Sequence, residues 1–200
     1  ASTAATVIDD NVYTNQPIGF TFRYDGVDYT AFGMNGNGWI SLGATAPASS
    51  TTPLSGGTTN NVISAAGTDL LGRLHSTANR TTGTNQITVT AGDYSAYQVG
   101  DAVTGTGIPA GSTITAIAGN VFTISNNATS TGTGFNFRVY KPTTGIRFET
   151  IGLAPNRKLV VQWSNFARYS TAGGSIADNI NFQIILTETT NAIDVIYNIP

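Results

Sequence analysis

The stretch Pro17-Ile-Gly-Phe-Thr-Phe-Arg-Tyr-Asp-Gly-Val-Asp-Tyr-Thr-Ala-Phe-Gly-Met-Asn-Gly-Asn-Gly-Trp-Ile-Ser-Leu-Gly43 constrains the fold more than any other part of the chain. Phe20, Phe22 and Tyr24 alternate with Thr21 and Arg23, the period-two pattern of a strand with one buried and one wet face. Asp25-Gly26 supplies the positive-φ residues of a tight hairpin, and Asn37-Gly38 supplies a second turn before Trp39-Ile-Ser-Leu42. Three short strands and two turns follow from these residues alone, and they describe architecture, not chemistry.

The same pattern recurs downstream. Strands are predicted at 87–90, 101–103, 112–117, 121–125, 135–140, 145–151, 158–163, 181–187 and 192–197, separated by Gly, Asn and Pro turns. The best helical candidate, Ala65 to Leu74, is interrupted by glycine and predicts a turn or two at most. The expected fold is all-β: an antiparallel, jelly-roll-like β-sandwich with an inserted small β-subdomain.

The surface of such a sandwich must be built from Thr, Ser, Asn and Gly, because only 10% of the residues are charged while 40% are hydrophobic. Intracellular and other ordinary globular domains carry about 25% charged residues. The composition therefore predicts an extracellular or cell-surface protein whose signal peptide has been removed before Ala1. Cysteine is absent, which excludes disulfides and thiolate chemistry. A net charge of -2 with nine scattered Lys and Arg forms no basic stripe, so nucleic acid is not an expected partner. No apolar run reaches the roughly 20 residues of a membrane-spanning helix, so membrane insertion is not expected either.

Texture divides the chain. Ala44 to Asn61 reads as a long polar loop, and a second polar stretch runs from His75 to Asn85. From about Gly83 to Gly134 the strands are short and rich in small residues. The expected organisation is a discontinuous sandwich, residues 1–82 and 138–200, with residues 83–137 as an inserted module.

Val99-Gly-Asp-Ala-Val-Thr-Gly-Thr-Gly-Ile-Pro-Ala-Gly-Ser-Thr-Ile114 and Ile117 to Gly132 resemble a small β-module of phage fibre and bacterial surface proteins. Pro17 to Gly43, Gly145 to Trp163 and Asn181 to Tyr197 are similar to a nidogen-like, jelly-roll-type surface domain of secreted Bacteroidota proteins. Members of that family often carry an aromatic and an acidic pair after the long loop. Ile63 to Gly72 keeps only Asp69. Both resemblances imply scaffolds and no catalytic residue set.

The inventory of reactive groups points the same way, to a protein that is not an enzyme. His75 is the sole histidine and reads as a solvated residue beside a polar loop. Glu149 and Glu188 are the two glutamates; Glu149 sits on the wet face of a strand and Glu188 at a strand end, where a cross-strand contact and a turn explain them. No cofactor and no metal ligand is assigned, although Asp9-Asp10-Asn11, Asp25 with Asp28, and Asp178 to Asn181 are oxygen-rich groups of the kind a structural Ca²⁺ accepts.

Two binding features remain. Ala1, Ser2, Thr3, Ala4, Ala5, Thr6, Val7 and Ile8 form a small, uncharged arm suited to completing a neighbour's sheet edge, or to serving as an edge strand of its own domain. Trp39 and Tyr169 lie near turns and are candidates for a sugar-stacking platform. The functional expectation is an extracellular structural or adhesive subunit that forms filaments through strand edges, with itself or other surface proteins as partners. The alternatives are a carbohydrate-binding module of a secreted protein and, less favoured, a virion fibre component.

Overall fold

A computed structural model describes residues 8–45, 61–92, 94–169 and 179–197. Among these residues every regular element is a strand, and none forms a helix capable of crossing a membrane. The chain divides into two compact units.

The first unit takes residues up to Leu71, Gly145–Ser164 and the chain from Ile180 onward. One of its sheets contains β1 (Val12–Tyr24), β2 (Val27–Asn35), β3 (Trp39–Leu42) and β4 (Val62–Ser64), paired in that order. The β1–β2 hairpin turns at Asp25 and Gly26, with φ of 47° and 77°, as the Asp-Gly pair predicted. The β2–β3 connection is a three-residue loop that ends at Gly38 with φ of 81°. Only glycine fits there, because a Cβ at Gly38 would lie 2.8 Å from the Phe182 ring. Pro17 is tolerated because β1 is an edge strand and need not donate to an outer neighbour.

The second sheet of this unit orders β12 (Gly145–Ile151), β13 (Lys158–Arg168), β14 (Ile180–Thr187) and β15 (Ile193–Tyr197), and β5 (Leu70–Leu71) pairs with β13. The inward faces meet in an antiparallel sandwich. Phe22, Phe32, Ile40, Leu159, Val161, Trp163 and Phe182 are fully buried, and Phe32 meets Phe148 edge to face at 5.3 Å between ring centroids. Trp163 stacks on Phe182 at 5.0 Å, and its indole N–H donates to the Asn35 carbonyl at 3.0 Å. Thr150 Oγ1 donates to the Ile18 carbonyl at 2.6 Å, and Arg157 Nη1 donates to the Gly19 carbonyl at 2.6 Å. These bonds fix β1 against the opposite sheet at a bulge in its ladder.

The second unit takes Gly72–Thr144 and Asn165–Asn179, and the stretch 83–137 lies within it. Its sheet orders β8 (Ala102–Thr104), β11 (Gly132–Tyr140), β6 (Leu74–Arg80), β7 (Gln86–Ala91), β10 (Val121–Ile124) and β9 (Ile114–Ala118). The outer strands then meet. Ala102 bridges Thr113, the Val103 N–H donates to the Ser112 carbonyl at 2.8 Å, and the Ile114 N–H donates to the Asp101 carbonyl at 2.9 Å. Six strands therefore close into a small barrel, which removes the open edges a short sheet would otherwise expose. Its core packs Phe122, Phe137 and Tyr97 among Ile87, Val89 and Ile124.

Two expectations are corrected here. The segment proposed as a short helix, Ala65 to Leu74, contains β5 and the start of β6 instead, because Leu70, Leu71 and Leu74 are all buried against sheets. The polar stretch from His75 is the central strand β6 and not a loop. His75 is consequently buried, with 9% exposure, and is not the solvated residue its neighbours suggested.

Candidate functional site

The first unit carries two polar assemblies. One is acidic: one carboxylate oxygen from each of Asp9, Asp10 and Asp69 lies within 4.8 Å of the others. Asp69 lies 59 positions beyond Asp10 in the chain, and the β2–β3 loop joins them. Asn37, fully buried in that loop, donates its Nδ2–H to Asp10 Oδ1 at 2.9 Å and accepts the Leu70 N–H on its Oδ1 at 2.8 Å. The Asp9 carbonyl presses against Gly36, where a Cβ would approach to 1.8 Å, so the chain can pass only over glycine. Asp69 Oδ1 is buried without a hydrogen-bond partner among the described residues. Burial, then the charges of Asp10 and Asp9, push the Asp69 carboxyl above the usual carboxylate range. An all-oxygen donor set of this kind suits a hard cation such as Ca²⁺ better than any transition metal.

The other assembly lies on the outer face of the β12–β13–β14 sheet. Alternation sends Ile146, Leu159, Val161, Phe182 and Ile184 inward, so the intervening residues line a depression of about 760 Å³ on the far side. Arg147 stands opposite Gln162 in the ladder, and Gln183 Nε2–H donates to Gln162 Oε1 at 3.1 Å. These three form a row of planar polar groups across the strands. Glu149 stands opposite Val160, and Ile185 continues the apolar strip beside it. Lys158 lies on the same face, and neither it nor Glu149 has an ionic or hydrogen-bonding partner among the described residues.

Other residues singled out in the sequence are dispersed. Trp39 is fully buried, so its ring presents no face to a sugar; β3 is an inner strand of its sheet, and both of its faces are covered. Tyr169 is 39% exposed and belongs to the second unit. Ala1 to Val7 of the arm lie outside the described residues, and its last residue, Ile8, is buried. Asp178 also lies outside them. Asp28 pairs with Arg23 at 2.9 Å on the surface. Glu188 does more than end a strand: its two oxygens accept Nε–H and Nη2–H of Arg157, at 2.8 and 2.5 Å, and this fork holds its pKa down at about 2. Within Ile63 to Gly72, Asp69 stands as the one acidic residue. The partners that surround it come from the N-terminal segment, and no local spacing announces them.

A family model described as NIDO related matches residues 1–95 and 134–200, most of the chain. The chain belongs to the NIDO-related family. No curated protein and no solved structure matches it. As a NIDO-related protein it is an extracellular-type β-domain. The matched segments hold both polar assemblies, the acidic cluster in the first and the depression in the second. Residues 96–133, with β8, β9 and β10, lie between the two matched segments and belong to the barrel.

Proposed function

We propose that this NIDO-related chain is a non-enzymatic adhesive or structural module of the cell exterior that associates through a strand edge. The observation that carries this is β15. Among the described residues it ends its sheet, and Val195, Ile196 and Tyr197 are 37%, 44% and 56% exposed, so an apolar strand with no outer strand partner among those residues faces outward. Such an edge is a template for another strand. The opposite design prevails in the second unit, where barrel closure leaves no comparable edge. The chemistry present also favours a scaffold: the bidentate Arg157–Glu188 pair ties loops together and brings no general acid to a cleft.

The test is self-association of the full chain by sedimentation velocity across a concentration series, with beads coated in the chain scored for clumping and for attachment to glycoprotein-coated surfaces. Val195→Lys with Ile196→Lys should abolish association, since edge lysines block strand pairing. Deletion of residues 1–7, which spares the buried Ile8, separates donation by the arm from simple edge pairing. A chain that stays monomeric at all concentrations, and whose beads neither clump nor attach, would overturn the proposal.

A further inference from the structure

We infer that the depression on the β12–β13–β14 face binds a short, neutral oligosaccharide; the inference rests on the adhesive function proposed above and names the ligand for it. The lining decides the chemistry. Gln162, Gln183 and Arg147 present amide and guanidinium groups in a row, while Glu149 accepts and Lys158 donates. A hydroxyl both donates and accepts, so a polyhydroxylated chain can satisfy donors and acceptors placed side by side. Val160 and Ile151, the latter 46% exposed, supply the apolar surface that the C–H face of a sugar ring covers.

Competing ligand classes fit worse. A peptide added as a strand needs free backbone groups, yet β13 is hydrogen-bonded on both sides, so the floor of the depression offers side chains only. A nucleic acid would meet Glu149 and a chain of net charge -2. The Gln162 amide is already bonded to Ser164 Oγ and Gln183, but an acyl chain would cover Glu149, Lys158 and the Gln183 carbonyl oxygen and leave them without water. The opposite charges of Glu149 and Lys158 also disfavour a polyanion, which would place a carboxylate or sulfate beside Glu149. The volume, about 760 Å³, lies within the range of roughly 300–1,000 Å³ usual for small-molecule sites.

The experiment is isothermal titration of the full chain with cellohexaose, xylohexaose and mannohexaose, and with polygalacturonate as the anionic comparison. At least one neutral hexasaccharide should bind. Glu149→Gln and Gln183→Ala should each weaken it about tenfold, since each removes hydrogen bonds to the ligand. Thr115→Ala, on the exposed face of the second unit's β9, should leave it unchanged. Both site residues face solvent or are half-buried on the outer face, and unchanged thermal melts would certify the fold of the variants. Failure of all three neutral sugars to bind, binding indifferent to both substitutions, or tighter binding of polygalacturonate that vanishes in high salt would each overturn the inference. Bead attachment that survives Glu149→Gln and Gln183→Ala would sink the oligosaccharide site and leave the adhesive function standing.

Discussion

Trp163→Phe tests how the two sheets of the first unit are joined. The indole is fully buried, stacked on Phe182, and bonded through Nε1–H to the Asn35 carbonyl at 3.0 Å. Phenylalanine preserves a ring for the stack but removes one of two donors to the Asn35 carbonyl, which keeps the Gly38 N–H at 3.2 Å, at a cost of about 0.5–1.5 kcal/mol. The lost volume, roughly 40 Å³ at about 24 cal/mol per Å³, adds about 1 kcal/mol. The variant should therefore lose about 1.5–2.5 kcal/mol, a large share of the ~5–15 kcal/mol that holds a domain folded. Urea unfolding followed by the remaining tryptophan, Trp39, reads the same unit directly because that ring is buried in the same core. With a slope of about 2 kcal/mol per molar, the midpoint should fall by about 0.7–1.3 M. A fall of less than about 0.3 M at unchanged slope would refute the reasoning, since neither the indole hydrogen bond nor the lost volume would then contribute.

Gly38→Ala should destabilise the chain far more than Gly26→Ala in parallel thermal melts: both glycines have positive φ, but only at Gly38 would the Cβ strike Phe182 and Ala66, whereas Gly26 opens on free space. Arg80, 6% exposed, bonds Ser130 Oγ at 2.9 Å and lies over Phe135 at 4.4 Å, while Nε and Nη1 have no hydrogen-bond partner among the described residues. Arg80→Met should accordingly change stability by less than about 2 kcal/mol in either direction and Arg80→Ala should cost more, as denaturant titration would show. The two displaced carboxyls should give opposite pH signatures in melting temperature. Glu188, held near 2, contributes stability that is present above the ordinary value of 4.5 and lost as pH falls toward 2, so Glu188→Gln should flatten the acid limb. Asp69 is raised above 3.8, so its contribution is complete below that value and lost as pH rises; Asp69→Asn should stabilise the chain at neutral pH, with the gap closing on acidification.

Most strands were legible because each carries its own evidence. The alternation of Phe20 and Phe22 with polar residues, the Asp25-Gly26 turn and the 145–151 and 181–187 runs require no knowledge of a partner strand, and they reappear as β1, its hairpin, β12 and β14. The strand β6 was not legible. Leu74-His-Ser-Thr-Ala-Asn-Arg80 has little apolar signal, and it becomes a central strand because β7 and β11 satisfy its backbone on both sides. Trp39 shows the converse error: proximity to a turn suggested exposure, but its position on an inner strand buries it.

The candidate sites divide in the same way. Glu149 was assigned to a wet strand face from alternation alone, and it lies there with Arg147 on the same face. The depression they share with Lys158, Gln162 and Gln183, and the meeting of Asp9 and Asp10 with Asp69, depend on pairings between segments far apart in the chain.

The sequence by itself determined an all-β chain, its hairpins and the faces of its strands, because turn dihedrals and two-residue periodicity are local properties of a backbone. The tertiary structure alone decided that six short strands close into a barrel, that three aspartates converge and that a polar stretch is buried. Each of these is a long-range pairing, and its energy comes from hydrogen bonds and packing with residues whose identity no local window contains.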